Sequence, residues 1–168
     1  MKRWLSRLLQ VAVLLLPALA LYAWQTRDLL PQGARSPVPD LDLPLLDGGI
    51  FDRDALDGRP AVLYFFAPWC GVCAASAPQL RWYDRFLGEG APLVLVALDY
   101  GSAGEVQAWL ADHRIDAPVL LGDAATAAAF RIRGFPTYYI IDSTGRIAGR
   151  DFGFTTLPGL WWRTRWAG

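Results

Sequence analysis

The sequence predicts an α/β fold in which helices flank a central mixed sheet. Three uninterrupted apolar runs predict strands covered on both faces, because a half-exposed strand would alternate apolar and polar residues. Segments with apolar residues every three or four positions lie between the runs and predict helices. A turn sequence after the third run predicts a closing antiparallel hairpin, which makes the sheet mixed. The three runs are residues 61–66, 93–98 and 138–141.

Residues 1–24 predict an N-terminal transmembrane anchor or signal segment. The apolar stretch 8–24 exceeds the usual signal-peptide core of about 7–15 residues and reaches the short end of a spanning helix, about 17–25. An uncleaved anchor is favoured, although residues 18–20 (Ala-Leu-Ala) could serve as a cleavage site. Aromatic residues suit the two membrane interfaces, and basic residues before the stretch predict that the rest of the chain is exported. These residues are Trp4, Tyr22 and Trp24, and Lys2, Arg3 and Arg7.

Two further segments are expected after the anchor. Residues 25–39 predict a Pro-rich linker without a periodic apolar pattern, and residues 40–168 predict one folded domain. At the start of that domain, residues 40–51 alternate weakly around a Gly-Gly turn and predict an edge hairpin. Residues 53–56 predict a short helical turn.

Helix signals recur along the domain. Residues 73–87 carry apolar side chains at helical spacing, with Pro78 expected to kink the helix. Ser102 and Glu105 form a capping-box signature, and Asp123 is a good N-cap for an alanine-rich helix. A short strand is expected at 118–121 and a last helix near the C-terminus, whose tryptophans are expected to be core residues. These tryptophans are Trp161, Trp162 and Trp166.

The two cysteines of the chain, Cys70 and Cys73, lie where a buried strand passes into a helix. At a helix N-terminus the free N–H groups and the dipole favour thiolate, so Cys70 is a predicted nucleophile. Cys73 lies one helical turn along, within reach of a disulfide. A structural zinc site needs about four ligands, and beyond the thiols the chain offers only His113. An inert disulfide and a Cu(I) site made of two thiolates remain open alternatives.

Composition limits the classes of function. The chain has 168 residues with 16 basic and 16 acidic side chains, which is enough for one domain with a real core and does not indicate a nucleic-acid surface. A cysteine pair in an exported domain would occupy a compartment where disulfides persist.

Three motifs together make the chain resemble the thioredoxin superfamily, and within it the TlpA-like membrane-anchored thiol-disulfide oxidoreductases. They are residues 69–73 (Trp-Cys-Gly-Val-Cys), Pro78, and residues 134–137 (Gly-Phe-Pro-Thr). The resemblance looks closest to the suppressor-of-copper-sensitivity D-type proteins, which links it to copper tolerance. It implies a thioredoxin-like fold with an N-terminal hairpin and an inserted strand–helix unit at 93–113.

The resemblance also implies the roles of five residues. Cys70 and Cys73 would be the catalytic pair, and Trp69, Phe135 and Pro136 would contact the substrate. Pro136 would follow a cis peptide bond and face the cysteines, which would leave the backbone of Phe135 free to pair with an extended substrate segment.

The chain departs from its relatives at three positions. Thioredoxins bury an Asp where this chain has Tyr64, and relatives in cytochrome c maturation carry acidic residues where it has Ser76 and Thr137. No carboxylate is therefore expected to take the proton from Cys73, and Tyr64 is expected to be a core aromatic.

The predicted function is an exported, membrane-tethered thiol-disulfide oxidoreductase that works as a reductase on extracytoplasmic proteins. No cofactor and no metal are expected. Its expected place is the bacterial inner membrane, as a single-pass protein with the domain on the periplasmic side. Family resemblance alone implies a transmembrane electron donor. A cytochrome c maturation reductase and a Cu(I)-binding protein that uses the same thiols are the alternatives.

Overall fold

The computed structural model describes residues 2–32, 36–51, 53–56 and 58–167, without the side chains of some residues near the N-terminus and of Arg53. The charges of Lys2 and Arg3, and residues 33–35 of the predicted linker, lie outside this description. The helices are α1 (Lys2–Thr26), α2 (Gly71–Leu87), α3 (Ala103–His113), α4 (Ala124–Ala129) and α5 (Leu157–Arg165), with a 3-10 turn at Arg53–Leu56. The strands are β1 (Ala61–Phe66), β2 (Leu93–Ala97), β3 (Val119–Leu121), β4 (Thr137–Ile141) and β5 (Ile147–Phe152).

These strands form one mixed sheet in the order β3-β2-β1-β4-β5. β1 and β2 are parallel, as are β2 and β3, whereas β4 is antiparallel to both β1 and β5. Every residue of β1, β2 and β4 is buried, so the apolar runs are strands covered on both faces. The predicted fold class is confirmed.

Alternate residues of β1 point into two separate cores. Tyr64 and Phe66 pack on one face with side chains of α2, α3 and α5. Leu63 and Phe65 pack on the other face, where Phe130 follows α4. This alternation is the two-residue period of a strand, and four residues after β1 ends the chain enters α2.

The helix caps are confirmed as well. Ser102 accepts a hydrogen bond from the backbone of Glu105, and Asp123 forms a complete capping box with Thr126. The predicted edge hairpin is present as a single antiparallel bridge between Pro44 and Ile50 rather than as paired strands.

The prediction that the C-terminal tryptophans are core residues is wrong. Trp161, Trp162 and Trp166 are exposed, whereas Leu160 and Thr164 are the buried residues of α5. A helix of nine residues presents a narrow stripe to the core, and here the two smaller side chains occupy that stripe.

The segment after α1 is packed on the domain. Leu29 and Val38 are buried in the second core, and the side chain of Arg150 donates to the carbonyls of Leu29 and Leu30 at 2.8 Å each. α1 itself contains an 18-residue window, Leu9–Thr26, that is long and apolar enough to cross a membrane, with 6% of the window buried. The division into anchor, linker and domain stays a prediction.

Candidate active site

The two cysteines form a disulfide at the first turn of α2. Their Cα atoms are 5.2 Å apart, and the side chain of Cys73 is inaccessible to solvent while Cys70 retains 5% of its surface. Cys70 is therefore the more accessible of the two residues; its sulfur is called the outer sulfur and that of Cys73 the inner sulfur.

Cys70 is the N-cap residue of α2. The chain leaves β1 at Phe66, and Cys70 has extended backbone angles, φ −76° and ψ 107°, before the helix begins at Gly71. Its sulfur accepts a hydrogen bond from the backbone N–H of Cys73 at 3.1 Å. An N-cap side chain satisfies an otherwise free N–H at the positive end of the helix dipole. Once the disulfide is reduced, the same N–H and dipole favour a thiolate on Cys70.

Trp69 precedes Cys70 in the chain, and its ring lies against that of Phe135 from a distant loop. Trp69 is 65% exposed, and its indole N–H donates to the carbonyl of Asp99 at 2.9 Å. Its ring meets Phe135 edge to face, with 5.8 Å between centroids. The Phe135–Pro136 peptide bond is cis, as the family resemblance implied. Pro136 is buried, whereas Phe135 is half-buried.

A groove of about 700 Å³ opens beside these two rings. Beyond Trp69 and Phe135 it is lined by residues that follow β2 and β3 in the chain, including Asp99, Tyr100 and Asp123. The sequence analysis did not select these residues. Their position after the carboxyl ends of two parallel strands was the available signal, because ligand crevices in α/β sheets form there.

The groove carries charge of both signs. Asp123 accepts hydrogen bonds from the backbone N–H and the hydroxyl of Thr126, at 2.8 and 2.9 Å. The backbone N–H of Thr126 is the main cause that lowers the pKa of the Asp123 carboxyl. Asp123 is therefore ionised at neutral pH, and the exposed side chain of Arg133 lines the same groove.

Tyr64 occupies the inner face of β1, in the same core cluster as both cysteines. Among the described residues its hydroxyl meets the geometry of no hydrogen bond, and burial raises the pKa of its phenol against a smaller lowering by the Ser76 side chain. Its ring lies 6.3 Å from that of Tyr138. The prediction that Tyr64 is a core aromatic is confirmed by its complete burial.

Ser76 and Thr137 bond to nearby backbone. The Ser76 hydroxyl donates to the carbonyl of Val72 at 3.0 Å, and that of Thr137 donates to the carbonyl of Gly134 at 2.9 Å. Neither side chain adds a negative charge beside the dithiol.

Asp151 is a buried carboxylate on the face of the sheet that also carries Tyr64 and Tyr138. It accepts a hydrogen bond from the hydroxyl of Tyr138 at 3.0 Å and forms an ion pair with Arg163. Arg163 also donates to the hydroxyl of Tyr138 at 3.2 Å. The charge of Asp151 is compensated within this three-residue cluster.

Metal-binding potential is limited in the part of the chain that the structure describes. No group of three or more His, Cys, Asp or Glu side chains is placed to hold an ion there. His113 stacks on Trp109, with 4.4 Å between ring centroids. Once reduced, Cys70 and Cys73 would offer two soft sulfur ligands.

Comparisons with known proteins agree with this geometry. The AhpC/TSA family matches residues 34–150. The thioredoxin-like protein YneN of Bacillus subtilis is 24% identical over 160 residues, 93% of each chain. The thiol-disulfide oxidoreductase YkuV of the same organism is 25% identical over 120 residues, 67% of this chain and 81% of YkuV.

Solved structures give the same result for the fold. A thioredoxin-family thiol:disulfide interchange protein from Chlorobium tepidum superposes with a TM-score of 0.71 at 23% identity, over 82% of this chain and 99% of that one. MTB DsbF superposes with a TM-score of 0.69 at 25% identity, over 76% and 96%.

Proposed function

Because this chain belongs to the AhpC/TSA family of thioredoxin-like proteins, we propose that it is a membrane-tethered enzyme that reduces disulfides of extracytoplasmic proteins. Its thiol-disulfide oxidoreductase activity is the activity for which its relative YkuV is named. The tether, the direction of electron flow and the substrate are the parts that we propose.

The observation that carries the proposal is the position of the Cys70–Cys73 disulfide at the N-terminus of α2. The outer sulfur accepts an N–H bond at 3.1 Å and is the more exposed of the two. A thiolate stabilised in this way is a good attacking group and a good leaving group in thiol–disulfide exchange.

The proposed reaction begins with the reduced dithiol. The Cys70 thiolate attacks one sulfur of a substrate disulfide, forms a mixed disulfide and expels the other substrate sulfur as a thiolate. Cys73 then loses its proton and attacks the Cys70 sulfur, which releases the second substrate sulfur. Two electrons pass to the substrate; the proton of Cys73 ends on one substrate thiol, and solvent returns to the other the proton that Cys70 lost on ionising. The protein is left with the Cys70–Cys73 disulfide.

Substrate contacts are proposed for Trp69, Phe135 and Pro136. Trp69 is exposed, and Phe135 lies edge-on to it at the mouth of the groove. Two rigid aromatic side chains offer apolar contact at low entropic cost to an extended polypeptide. Because the Pro136 residue is buried, we propose that it meets substrate through the backbone of the cis Phe135–Pro136 unit rather than through its ring.

The reductase direction follows from the residues between the thiols. Gly71 and Val72 add no charge that would stabilise the Cys70 thiolate further. A strongly oxidising pair owes its potential to such extra stabilisation of the reduced form. We therefore propose that the pair acts as a reductant and that a transmembrane electron donor reduces its disulfide again after each turnover.

The proposed place is the bacterial inner membrane, with α1 as a single span and the domain on the periplasmic side. The apolar window of α1 supports this proposal, and solved structures that resemble this chain include secreted proteins from Mycobacterium tuberculosis and Corynebacterium glutamicum. The closeness to suppressor-of-copper-sensitivity D-type proteins and the link to copper tolerance stay predictions.

A redox titration of the purified full-length protein in detergent, combined with an insulin-reduction assay, tests the proposal. A strongly oxidising pair has a reduction potential of about −120 mV, and we expect a value well below it. We also expect insulin reduction that requires Cys70. A potential near that of a strongly oxidising pair would contradict the reductase direction. Insulin reduction that persists in Cys70→Ser would contradict the assignment of the nucleophile.

A further inference from the structure

The exposed face of α5 carries a pair of tryptophans. Trp162 is 59% exposed and Trp166 is 73% exposed. They are one helical turn apart, and their ring centroids lie 5.5 Å from each other. Large aromatic side chains that remain this exposed and adjacent usually mark a contact surface.

This tryptophan pair lies beside the last turns of α1. Tyr22 of α1, Trp162 and Trp166 line one cavity of about 430 Å³, together with backbone and side chains of β5. The tryptophan pair therefore lies close to the C-terminal end of α1.

The depth of Tyr22 in a bilayer follows from the length of α1. Trp4 precedes the apolar stretch 8–24 and Trp24 ends it, and the two tryptophans are twenty residues apart, which is about 30 Å of α-helix. That length matches the hydrocarbon core of a bilayer, about 30 Å. Tyr22 and Trp24 then lie at the boundary between hydrocarbon and headgroups, where tryptophan and tyrosine are enriched.

The chain between α1 and the domain holds this arrangement in place. The backbone N–H of Leu30 donates to the hydroxyl of Tyr139 at 3.1 Å, and Arg150 donates to the carbonyls of Leu29 and Leu30. Leu29 is also buried in the second core. Because these contacts begin three residues after α1 ends, the domain has little freedom to turn its α5 face away from the membrane.

Basic side chains accompany the tryptophans. Arg165 is exposed and forms no ion pair with any residue in the described ranges. Arg27 lies over the ring of Trp24, 5.5 Å from its centroid. Arginine beside tryptophan is the combination that suits a headgroup region containing anionic lipids.

We propose that Trp162 and Trp166 insert into the headgroup region of the leaflet from which α1 emerges, with Arg165 contacting anionic phospholipid. This inference goes beyond the redox activity and rests on the membrane tether of the proposed function. These contacts would hold the domain in one orientation on the bilayer surface.

Fluorescence quenching by brominated lipid tests the proposal. The full-length protein is reconstituted into phosphatidylcholine–phosphatidylglycerol vesicles whose acyl chains carry bromine. The variant is Trp162→Phe/Trp166→Phe, and the matched control is Trp82→Phe, because Trp82 is 48% exposed on α2. Insulin reduction by each protein checks that the variants fold.

The amplitude of quenched fluorescence should fall by about half in the double variant, since two of the four tryptophans expected at bilayer interfaces are removed. It should stay unchanged in Trp82→Phe. An unchanged amplitude in the double variant would overturn the proposal, and would mean that water or a protein partner covers this face. Flotation of the vesicles separates this outcome from failure of the tether, because a protein without its tether would not float.

Discussion

The backbone N–H of Cys73 donates a hydrogen bond to the sulfur of Cys70 across 3.1 Å. Cys70 is the N-cap of α2, and Cys73 belongs to the first turn of the same helix. One short stretch of backbone thus brings the two sulfurs together and is the reason for which we propose a reactive thiolate on Cys70.

Replacing Cys73 with Ser should trap substrate on the protein. The Cys70 thiolate still attacks a disulfide, but no second thiol displaces the bound sulfur. We expect a covalent complex with insulin on a non-reducing gel that disappears on addition of dithiothreitol. Cys70→Ser is the matched control and should form none. Normal multiple turnover by the Cys73 variant would contradict the resolving role.

Removing the ring of Trp69 or of Phe135 should weaken the binding of protein substrates without changing the reactivity of Cys70. For Trp69→Ala or Phe135→Ala we expect the KM for insulin to rise roughly 3- to 10-fold, because an edge-to-face aromatic contact contributes about 1 kcal/mol. The rate of Cys70 alkylation by iodoacetamide should change little. Trp82→Ala, which removes an exposed ring from α2, should leave the KM unchanged. If Trp69 and Phe135 only support the fold, KM and thermal stability would instead change together in Trp69→Ala and Phe135→Ala.

Tyr64→Phe should preserve activity and increase stability. The hydroxyl it removes is buried and meets the geometry of no hydrogen bond in the described part of the chain, so its loss should raise the free energy of unfolding by about 1 kcal/mol. Urea unfolding measures this change. A fall in insulin reduction at unchanged stability would show that the hydroxyl takes part in the redox reaction.

The same variant has a testable pH dependence. Burial raises the pKa of the Tyr64 phenol above its ordinary value of 10.0. A phenol with a raised pKa in the folded state contributes stability below pH 10, and that contribution is lost as the pH rises toward the folded pKa. Wild-type protein should therefore lose stability above pH 10 faster than Tyr64→Phe does. Parallel stability curves across that range would contradict the burial argument.

Arg163→Met should destabilise the domain. Arg163 is the cation that pairs with Asp151, whose side chain is 11% exposed, and its removal leaves a carboxylate poorly solvated. Since the arginine side chain is itself 33% exposed, we expect a loss of roughly 2 kcal/mol, below the range for fully buried pairs. Adding Asp151→Asn should recover part of that loss in chemical denaturation. A double variant less stable than Arg163→Met would contradict this reading of the pair.

The strands and the redox pair could be predicted because their signals are local. The apolar run of β1 and the Cys-x-x-Cys spacing each lie within a few residues, and both are where the sequence placed them. The groove beside Trp69 could not be assembled in the same way, because Asp99, Asp123 and Phe135 come from three separate loops. Their convergence depends on strand order, which periodicity does not encode.

The exposure of the C-terminal tryptophans was not predictable from composition. Tryptophan is buried on average, so a short helix containing three of them suggests a core helix. Packing across the domain decides which side of α5 faces α2 and β4. Leu160 and Thr164 are the residues buried on that side. The docking of Leu29 likewise depends on a distant arginine, Arg150.

The pH dependence of Cys70 alkylation, followed in the reduced protein with Cys73 replaced by Ala, tests the central claim most directly. If the N-terminus of α2 stabilises the thiolate, the alkylation rate should titrate with a pKa clearly below the ordinary thiol value of about 8.5. A rate that titrates at about 8.5 or above would contradict the account, because Cys70 would then have no special reactivity to explain.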